Sequence, residues 1–316
     1  MKENDILVSV VMTLYNDEPF VLRTLENVKA QTYQNIELIL SDDCSTDNTV
    51  AVCREWIKNN SSRFANVQLI TTEVNTGVTA NCIRAIAACH GQWSKGVGGD
   101  NLLALDAIER FVDYVKSNPD AEMVQCRVQT IDEDDNVIGE RKRGYDAVFH
   151  DDRTTASQQY QLFHWFDPVE ALGLFKNVSL LKKGDFYDTD FRNQEDTPFA
   201  YRILKAGHKI WYINQPLIKR RMMAGSLSGL SDKKIVPNNQ IVRIGIDHKY
   251  LFPDLSCFEK LVFGYRERII KLFFKTALNN KNKFHLLLWR MFNYPSNMYI
   301  RLKTKALKKK VTNTWN

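Results

Sequence analysis

Three acidic positions in this 316-residue chain stand where their types and spacing could do chemistry. The first is Asp100, in Lys95-Gly96-Val97-Gly98-Gly99-Asp100-Asn101-Leu102, where a strand runs into glycines and then delivers a carboxylate. Glycines without Cβ let a ligand approach the backbone closely at a strand end. A carboxylate there can hold a hard divalent cation against a diphosphate. Taken alone, a Gly-Gly-Asp turn is more often only a turn. The second position is the polar run Ser41-Asp42-Asp43-Cys44-Ser45-Thr46-Asp47-Asn48. The third is Glu195-Asp196, which opens a helix before Pro198, and such acids commonly serve as a cap favoured by the helix dipole.

These clusters matter only if the surrounding elements bring them to one edge. Val8 to Leu14 is a nearly continuous apolar run, which reads as a strand buried on both faces of a parallel sheet. Pro19 suits a first helical turn, and Val21, Leu25 and Val28 recur at helical spacing. Ile36 to Leu40 is a second strand. A helix carrying Val50, Cys53 and Ile57 follows, capped by Asp47 or Thr46. Val67 to Ile70 is a third strand, leading through Asn75-Thr76-Gly77 into a helix with Ile83 and Ile86 on one side. Trp93 to Val97 is then the apolar strand that feeds the glycine turn. The alternation predicts a doubly wound α/β layer with right-handed crossovers. Each polar cluster falls at the C-terminal end of a strand, the edge at which open α/β sheets bind ligands.

Further along, Ile108, Phe111, Val112 and Val115 mark a helix, and Met123 to Val128 a strand. The acidic turn Ile131 to Asn136 reads as a solvated hairpin tip. Residues 140-165 are polar and irregular, with Arg141, Lys142, Arg143, Tyr145, His150, His164 and Trp165, and fit either an acceptor groove or a surface loop. Leu172 to Phe175 and Val178 to Leu181 are short buried elements. A helix with Phe199, Ile203 and Leu204 is closed by Gly207. Lys209 to Ile213 is a strand, followed by Arg220, Arg221 and a Gly/Ser-rich stretch through Gly229.

Composition narrows the classes. The formal charge is +6, and it is concentrated beyond Cys257, where Lys and Arg recur against only Glu259 and Glu267. Six cysteines are scattered without CxxC or CxxH spacing, so neither a zinc site nor a disulfide framework is expected, and a reduced cytosolic setting fits. No stretch reaches the roughly 18 to 20 apolar residues that span a bilayer.

In order along the chain stand VSVVMTLYN (8-16), QTYQNIELILSDDCSTDNT (31-49), NTGVTANCIRAI (75-86), GGDN (98-101), GDF (184-186) and Glu-Asp before a helix (195-206). This ordered set resembles the family 2 glycosyltransferases of the GT-A fold, particularly bacterial enzymes that build surface polysaccharides such as O-antigen, over roughly residues 6-220. The resemblance implies an α/β, Rossmann-like GT-A domain with a mostly parallel twisted sheet at 1-231, divided into a nucleotide-sugar half (1-104) and an acceptor half (105-231). A basic helical extension occupies 232-316. It implies inverting, metal-dependent transfer of a sugar from a nucleoside-diphosphate donor, a UDP-sugar favoured, to a glycan hydroxyl.

The same resemblance implies roles residue by residue. Thr13, Tyr15 and Asn16 hold base and ribose, Asp43 accepts a hydrogen bond from the base, and Asn75 and Gly99 join the donor site. Asp100 stands at the second position of the Asp-x-Asp metal motif for Mn²⁺ or Mg²⁺, whereas Gly98 replaces the first. Asp196, or with less support Glu195, is the general base. Arg220 and Arg221 lie near the phosphates or acceptor, or form a plain surface pair.

The tail interleaves Leu261, Val262, Tyr265, Ile269, Ile270, Leu272, Phe273 and Phe274 with Arg266, Arg268, Lys271 and Lys275. Such a basic amphipathic helix can rest on an anionic membrane or pack on the domain with its charges solvated. Membrane contact would suit a polyprenyl-diphosphate-linked acceptor at the cytoplasmic face, placing the protein in the cytoplasm, peripheral on the inner face of the membrane. His248 is left out of the site. Two other readings compete. A nucleotidyltransferase needs a glycine-rich basic phosphate loop, which Leu14-Tyr-Asn-Asp-Glu-Pro-Phe20 lacks. A degenerate binding protein, its tail on membrane or nucleic acid, fits the missing first Asp, but Asp43, Asp100 and Asp196 together argue against it. No nucleic acid partner is expected.

Overall fold

A computed structural model describes residues 6–140, 146–222 and 234–315. It divides into two units, residues 1–156 with 168–222, and residues 157–167 with 223–316. The boundary expected at 231, the Gly/Ser-rich stretch that precedes it, and Arg141, Lys142, Arg143 and Tyr145 lie outside the described residues.

As far as residue 222 the chain follows the order β1 (Val8–Leu14), α1 (Val21–Lys29), β2 (Ile36–Asp42), α2 (Thr49–Asn60), β3 (Asn66–Ile70), α3 (Val78–Ala87), β4 (Trp93–Gly98), β5 (Leu102–Leu103), α4 (Ala107–Ser117), β6 (Met123–Ile131), β7 (Val137–Glu140), α5 (Ala156–Phe163), β8 (Leu174–Asn177), α6 (Val178–Lys183), α7 (Asp196–Lys205) and β9 (Ile210–Arg221), of which α5 beyond Ala156 belongs to the second unit and the rest to the first. The strands form one sheet in the order β3-β2-β1-β4-β8-β6-β9-β5, with β7 pairing the last residues of β6 outside this path. Its long ladders, β1 with β2 and β4, β2 with β3, and β6 with β9, are parallel. The antiparallel pairings are short, as where β4 meets β8 over Trp93 to Lys95. This is the mixed, mostly parallel sheet of the GT-A fold.

Register is what makes the site. Val8, Val10, Val11 and Met12 are buried on both faces of β1, so the strand cannot slip without exposing one face. That register sets Thr13 beside Ser41 of β2 and Gly98 of β4. The ends of three strands therefore open onto one edge, and the polar clusters follow immediately. The expected crossover helix α1 buries Val21, Leu25 and Val28. Helix α3 departs from expectation: Ile83 is 38% exposed. Its inner face instead carries Asn81, whose amide donates to the Ser41 carbonyl at 3.0 Å. A polar residue can occupy this face because it satisfies the last carbonyls of the parallel strands.

Two other features were hidden in the sequence. Lys95 stands in a strand read as apolar, yet it is fully buried. Its ammonium donates to the carbonyls of Leu172, Gly96 and Leu174 at 2.5, 2.9 and 3.3 Å, and burial pushes it down to about 8. The segment 140-165, expected to be irregular, contains helix α5 and buries Phe149 and His150.

The second unit contains α8 (Asn238–Ile246), α9 (Cys257–Lys275) and α10 (Lys283–Thr312). Ser256 and Glu259 close a reciprocal capping box at the start of α9, which satisfies two otherwise orphaned donors. Phe273, Ile269 and Ile270 of α9 pack with Val236, Ile241 and Trp289. His248 pairs with Glu267 at 2.8 Å in this unit. Among the described residues, no helix is long and apolar enough to cross a membrane.

His150 gives the first unit a pH signature. Burial holds its imidazole down at about 4, against an ordinary 6.5, despite the Asp146 backbone contact that favours the charged form. Its contribution is fully present above pH 6.5 and is lost as pH falls toward 4, about 3 kcal/mol in all. Urea midpoints should fall across that window, and His150→Gln should flatten the slope; an unaltered slope in the variant would place the pH dependence elsewhere.

Candidate active site

The edge above β1, β2 and β4 is built from three loops. After β2, Asp43 is buried and receives the backbone N–H groups of Thr76 and Gly77 at 3.0 and 2.6 Å, the Thr76 hydroxyl at 2.5 Å and the Arg84 guanidinium at 3.1 Å. Burial alone would raise its carboxyl, but these hydrogen bonds hold it below the ordinary carboxylate range. The carboxylate thus binds the start of α3, where anionic groups are favoured by the helix dipole. Gly77 adopts φ +90° there, a conformation that L side chains rarely take. Asn75 is held between Asp43 and Arg192, donating to the Asp43 carbonyl at 3.1 Å and accepting from the Arg192 guanidinium at 2.5 Å.

The second loop carries Asp100. The Asn101 amide donates to Asp100 Oδ1 at 2.7 Å, and its oxygen accepts the Arg221 backbone N–H at 3.0 Å. The Thr24 hydroxyl lies 2.8 and 3.1 Å from the carbonyl oxygens of Gly99 and Asn101. Over Gly99 sits Asp17: a Cβ on Gly99 would lie 2.5 Å from Asp17 Oδ2. Asp17 also accepts the Tyr15 backbone N–H at 2.9 Å, so one carboxylate touches both the loop after β1 and the loop after β4. Burial pushes Asp17 up to about 7, and the charges of Asp100, Asp47 and Asp42 add to this against the Tyr15 hydrogen bond. Burial likewise raises Asp100, opposed by Arg221 and Arg220.

The third loop brings in the acids at α7. The Arg192 carbonyl accepts the Thr79 N–H at 3.0 Å, and the Phe191 carbonyl accepts the Thr79 hydroxyl at 2.6 Å. Loop 191–196 is thereby stitched to the N-terminal turn of α3. Glu195 is the N-cap of α7 and Asp196 its first residue. Asp196 is exposed, with Oδ1 accepting the Thr197 N–H at 2.7 Å. Glu195 is half-buried, and burial followed by the neighbouring Asp196 charge raises its carboxyl.

The profile of Glycosyl transferase family 2 matches residues 9–179, more than half of the chain. The chain belongs to that family. Glycosyltransferase GlyG of Streptococcus pneumoniae serotype 4 is 27% identical over 224 residues, covering 70% of this chain and 72% of GlyG. Coverage of relatives varies: a Sinorhizobium fredii protein, 28% identical over 75% of this chain, is covered over only 24% of its length. Among solved structures, S. aureus TarS 1-349 in complex with UDP-GlcNAc superposes with TM-score 0.59 at 15% identity, covering 98% of this chain and 91% of TarS 1-349. A Pyrobaculum calidifontis mannosyltransferase in complex with GDP-Man and Mn²⁺ gives TM-score 0.53 at 16% identity, over 98% of this chain and 74% of its own.

The glycosyltransferase brings most of the expected site residues to one edge. Thr13 ends β1 beside Gly98, Tyr15 is 49% exposed, and Asn16 braces the loop after β2 through Thr46 N–H at 2.8 Å. Of the two readings of Arg221, near the phosphates or acceptor or in a plain surface pair, the surface pair is the one to correct: Arg221 is 3% exposed and donates internally to the carbonyls of Asp100, Asp132 and Glu133 and to the Asp135 carboxylate. The acidic turn is the solvated hairpin tip expected, with Glu133, Asp134 and Asn136 exposed, and its inward-facing acceptors also hold Arg221. Sequence reading missed Asp17, Arg84, Asn101 and Arg192. Asn101 and Arg84 lie inside quoted motifs and Asp17 directly follows one, but the contacts that bring Asp17, Arg84 and Arg192 into the site, to Gly99, Asp43 and Asn75, are far apart in the chain.

A hard cation fits this donor set. Among the described residues no three His, Cys, Asp or Glu side chains are grouped to hold a metal, so Asp100 with Asp17 nearby supplies few of the roughly six oxygens that Mg²⁺ or Mn²⁺ takes, the rest being available from diphosphate and water.

Gly98 has a steric reason. A Cβ there would meet the Asn101 amide at 2.7 Å and Asp100 Oδ1 at 3.1 Å, displacing the Asn101 side chain from both its partners. Restoring the family motif with Gly98→Asp should therefore lower Tm and leave Mn²⁺ affinity no higher than wild type by titration calorimetry. Gly99→Ala should weaken nucleotide binding by about tenfold or more, since strain of 1 to 3 kcal/mol accompanies such overpacking. Adding Asp17→Ala removes the two nearest contacts, Oδ2 at 2.5 Å and Cγ at 2.6 Å, while the Cβ contact at 2.8 Å stays, so it should restore part of the lost stability; a double variant no more stable than Gly99→Ala alone contradicts the contact.

Proposed function

We propose that this glycosyltransferase moves a sugar, with inversion, from a nucleoside-diphosphate sugar to a hydroxyl of a glycan acceptor carried on polyprenyl diphosphate, in bacterial surface polysaccharide assembly. The observation that carries the reading is Arg192. It joins the loop holding Glu195 and Asp196 to Asn75 of the loop organised by Asp43, so the candidate base and the nucleotide loop are built against one another. UDP is the favoured carrier, as in the UDP-GlcNAc complex of TarS.

In this reading the exposed Tyr15 ring stacks on the base. Asp43, its oxygens already engaged, fixes the 75–77 loop against which the base edge lies. Asp100, with Asp17 beside it, would hold Mn²⁺ or Mg²⁺, and Arg220 adds positive charge at the same loop. Bound there, the cation would offset charge on the departing diphosphate.

Asp196 is the exposed member of the acid pair, and therefore the one an acceptor can reach. It takes the proton of the acceptor hydroxyl as that oxygen attacks the anomeric carbon and the bond to the nucleoside diphosphate breaks on the opposite face. Its partner Glu195, half-buried and raised, shapes the charge beside the base. A lipid-linked acceptor would place the protein in the cytoplasm, peripheral on the inner face of the membrane.

Asp196→Asn should lower kcat by about 10²- to 10⁴-fold while UDP affinity stays unchanged, whereas Glu195→Gln should retain most activity. Wild-type turnover in Asp196→Asn would remove it as the base. Asp100→Ala should abolish the Mn²⁺ dependence of UDP binding in calorimetric titrations. If Mn²⁺ alters UDP binding in neither protein, the metal assignment fails, and if no nucleotide binds at all, the degenerate binding protein gains the ground.

A further inference from the structure

Helix α10 presents its apolar residues outward. Phe284, Leu287, Met291, Tyr294, Met298 and Leu302 are all exposed, between 45% and 64%. Their spacing of three or four residues lines them along one side of the helix. The opposite side is the packed one, with Asn293, Ser296 and Val311 buried. This reverses the usual pattern, in which a helix turns its apolar stripe to the core. The stripe runs over nineteen positions of a helix of 30 residues, longer than the scattered exposed leucine that needs no explanation.

Charge identifies what would cover it. Lys283, Arg290 and Arg301 fall along one flank of the stripe at helical spacing, and Lys305 and Lys309 extend its line past Leu302; all are exposed. From Cys257 to the end the chain has fourteen Lys and Arg and two acids. Both acids are already engaged within the unit. Glu259 pairs with Lys303 at 2.8 Å and Glu267 with Lys271 and His248. The outward surface is thus apolar along its centre and cationic along one flank and past its end. A second protein with an apolar patch would match the stripe alone; an anionic bilayer interface matches both, with acyl chains under the aromatic and aliphatic groups and phosphates at the cations.

We propose that the outward face of α10 is a docking surface for an anionic lipid membrane, with the helix lying in the interface plane. It rests on the reading of a lipid-linked acceptor only for its purpose, since it names the surface that would bring the enzyme to such an acceptor. Phe252, Phe263 and Trp165 pack inside the same unit, so the stripe can be altered without opening the core.

The test is co-sedimentation of the full chain with vesicles of phosphatidylcholine, with and without phosphatidylglycerol, at low and high salt. Wild type should bind the phosphatidylglycerol vesicles and be released by salt. The variant Leu287→Ser/Met291→Ser/Tyr294→Ser should bind roughly tenfold or more weakly, and Arg290→Glu/Arg301→Glu should lose roughly fivefold for each charge removed. Donor hydrolysis, measured without vesicles, should be the same in all three proteins. No vesicle binding by wild type, or equal binding by the triple variant, overturns the proposal. So does a concentration-dependent dimer that the triple variant abolishes while vesicle binding persists, because the stripe is then a contact between copies. Absent hydrolysis with intact vesicle binding instead overturns the transferase reading and leaves the docking surface standing.

Discussion

The site depends on one buried guanidinium. Arg221, at the end of β9, donates to the Asp100 carbonyl at 3.0 Å, to the Asp132 and Glu133 carbonyls at 2.6 and 3.0 Å, and to the Asp135 carboxylate. Its backbone N–H holds Asn101, and its guanidinium lies over the Phe20 ring at 4.7 Å. A charge taken from water is tolerated only when its donors are met nearly in full, and breaking such an arrangement costs about 3 to 5 kcal/mol. Lysine could not replace it, since a point charge with three donors cannot span a fork of separate acceptors. Arg221 therefore fixes, in one step, the turn after β4, the hairpin tip and the start of α1. Without it Asp100 would stand on a glycine turn with little to hold its direction.

A second constraint acts from the other side. Asp43 anchors the N-terminal turn of α3, and the same turn receives loop 191–196 through Thr79. The 75–77 loop and the acid pair are then two faces of one helix start. Neither needs a long-range signal to find the other, because parallel strand register already delivers Thr13, Ser41 and Gly98 side by side. Catalysis by a positioned base requires tolerances of a fraction of an ångström, and hydrogen bonds to backbone groups meet that demand better than flexible side-chain contacts do.

Much of this was legible in the chain. The buried parallel strands, the turn at Asp43, the glycine turn at Asp100 and the helix after Glu195 follow from periodicity and end signals, and the closing Gly207 does adopt a positive φ of 93°. What escaped reading has a common physical character. Lys95, Arg221 and His150 are polar groups inside the protein, and a sequence pattern does not show which carbonyls will satisfy them. Spacing puts Ile83 on one side of its helix with Ile86, but Ile83 is exposed and Asn81 takes the inner face because strand ends leave carbonyls to be capped. Asp17 looked like a turn residue beside Asn16; only the fold brings it against Gly99.

The departure from the Asp-x-Asp pattern is consistent with the electrostatics of this edge. Asp17 already lies in the fields of Asp100, Asp47 and Asp42, and its carboxyl stands at about 7 as a result of burial and those charges. A further carboxylate at position 98 would add repulsion where desolvation is already severe. It would also meet Asn101, which aligns Asp100. Carboxylates near the metal loop thus come from two elements, α1's leading turn and the turn after β4, instead of from one tripeptide. That arrangement makes the loop after β1 and the turn after β4 a single mechanical unit, because Asp17 also holds the Tyr15 backbone. A nucleotide that engages Tyr15 and a cation that engages Asp100 act on the same side chain from opposite sides, so each should favour the conformation that the other needs.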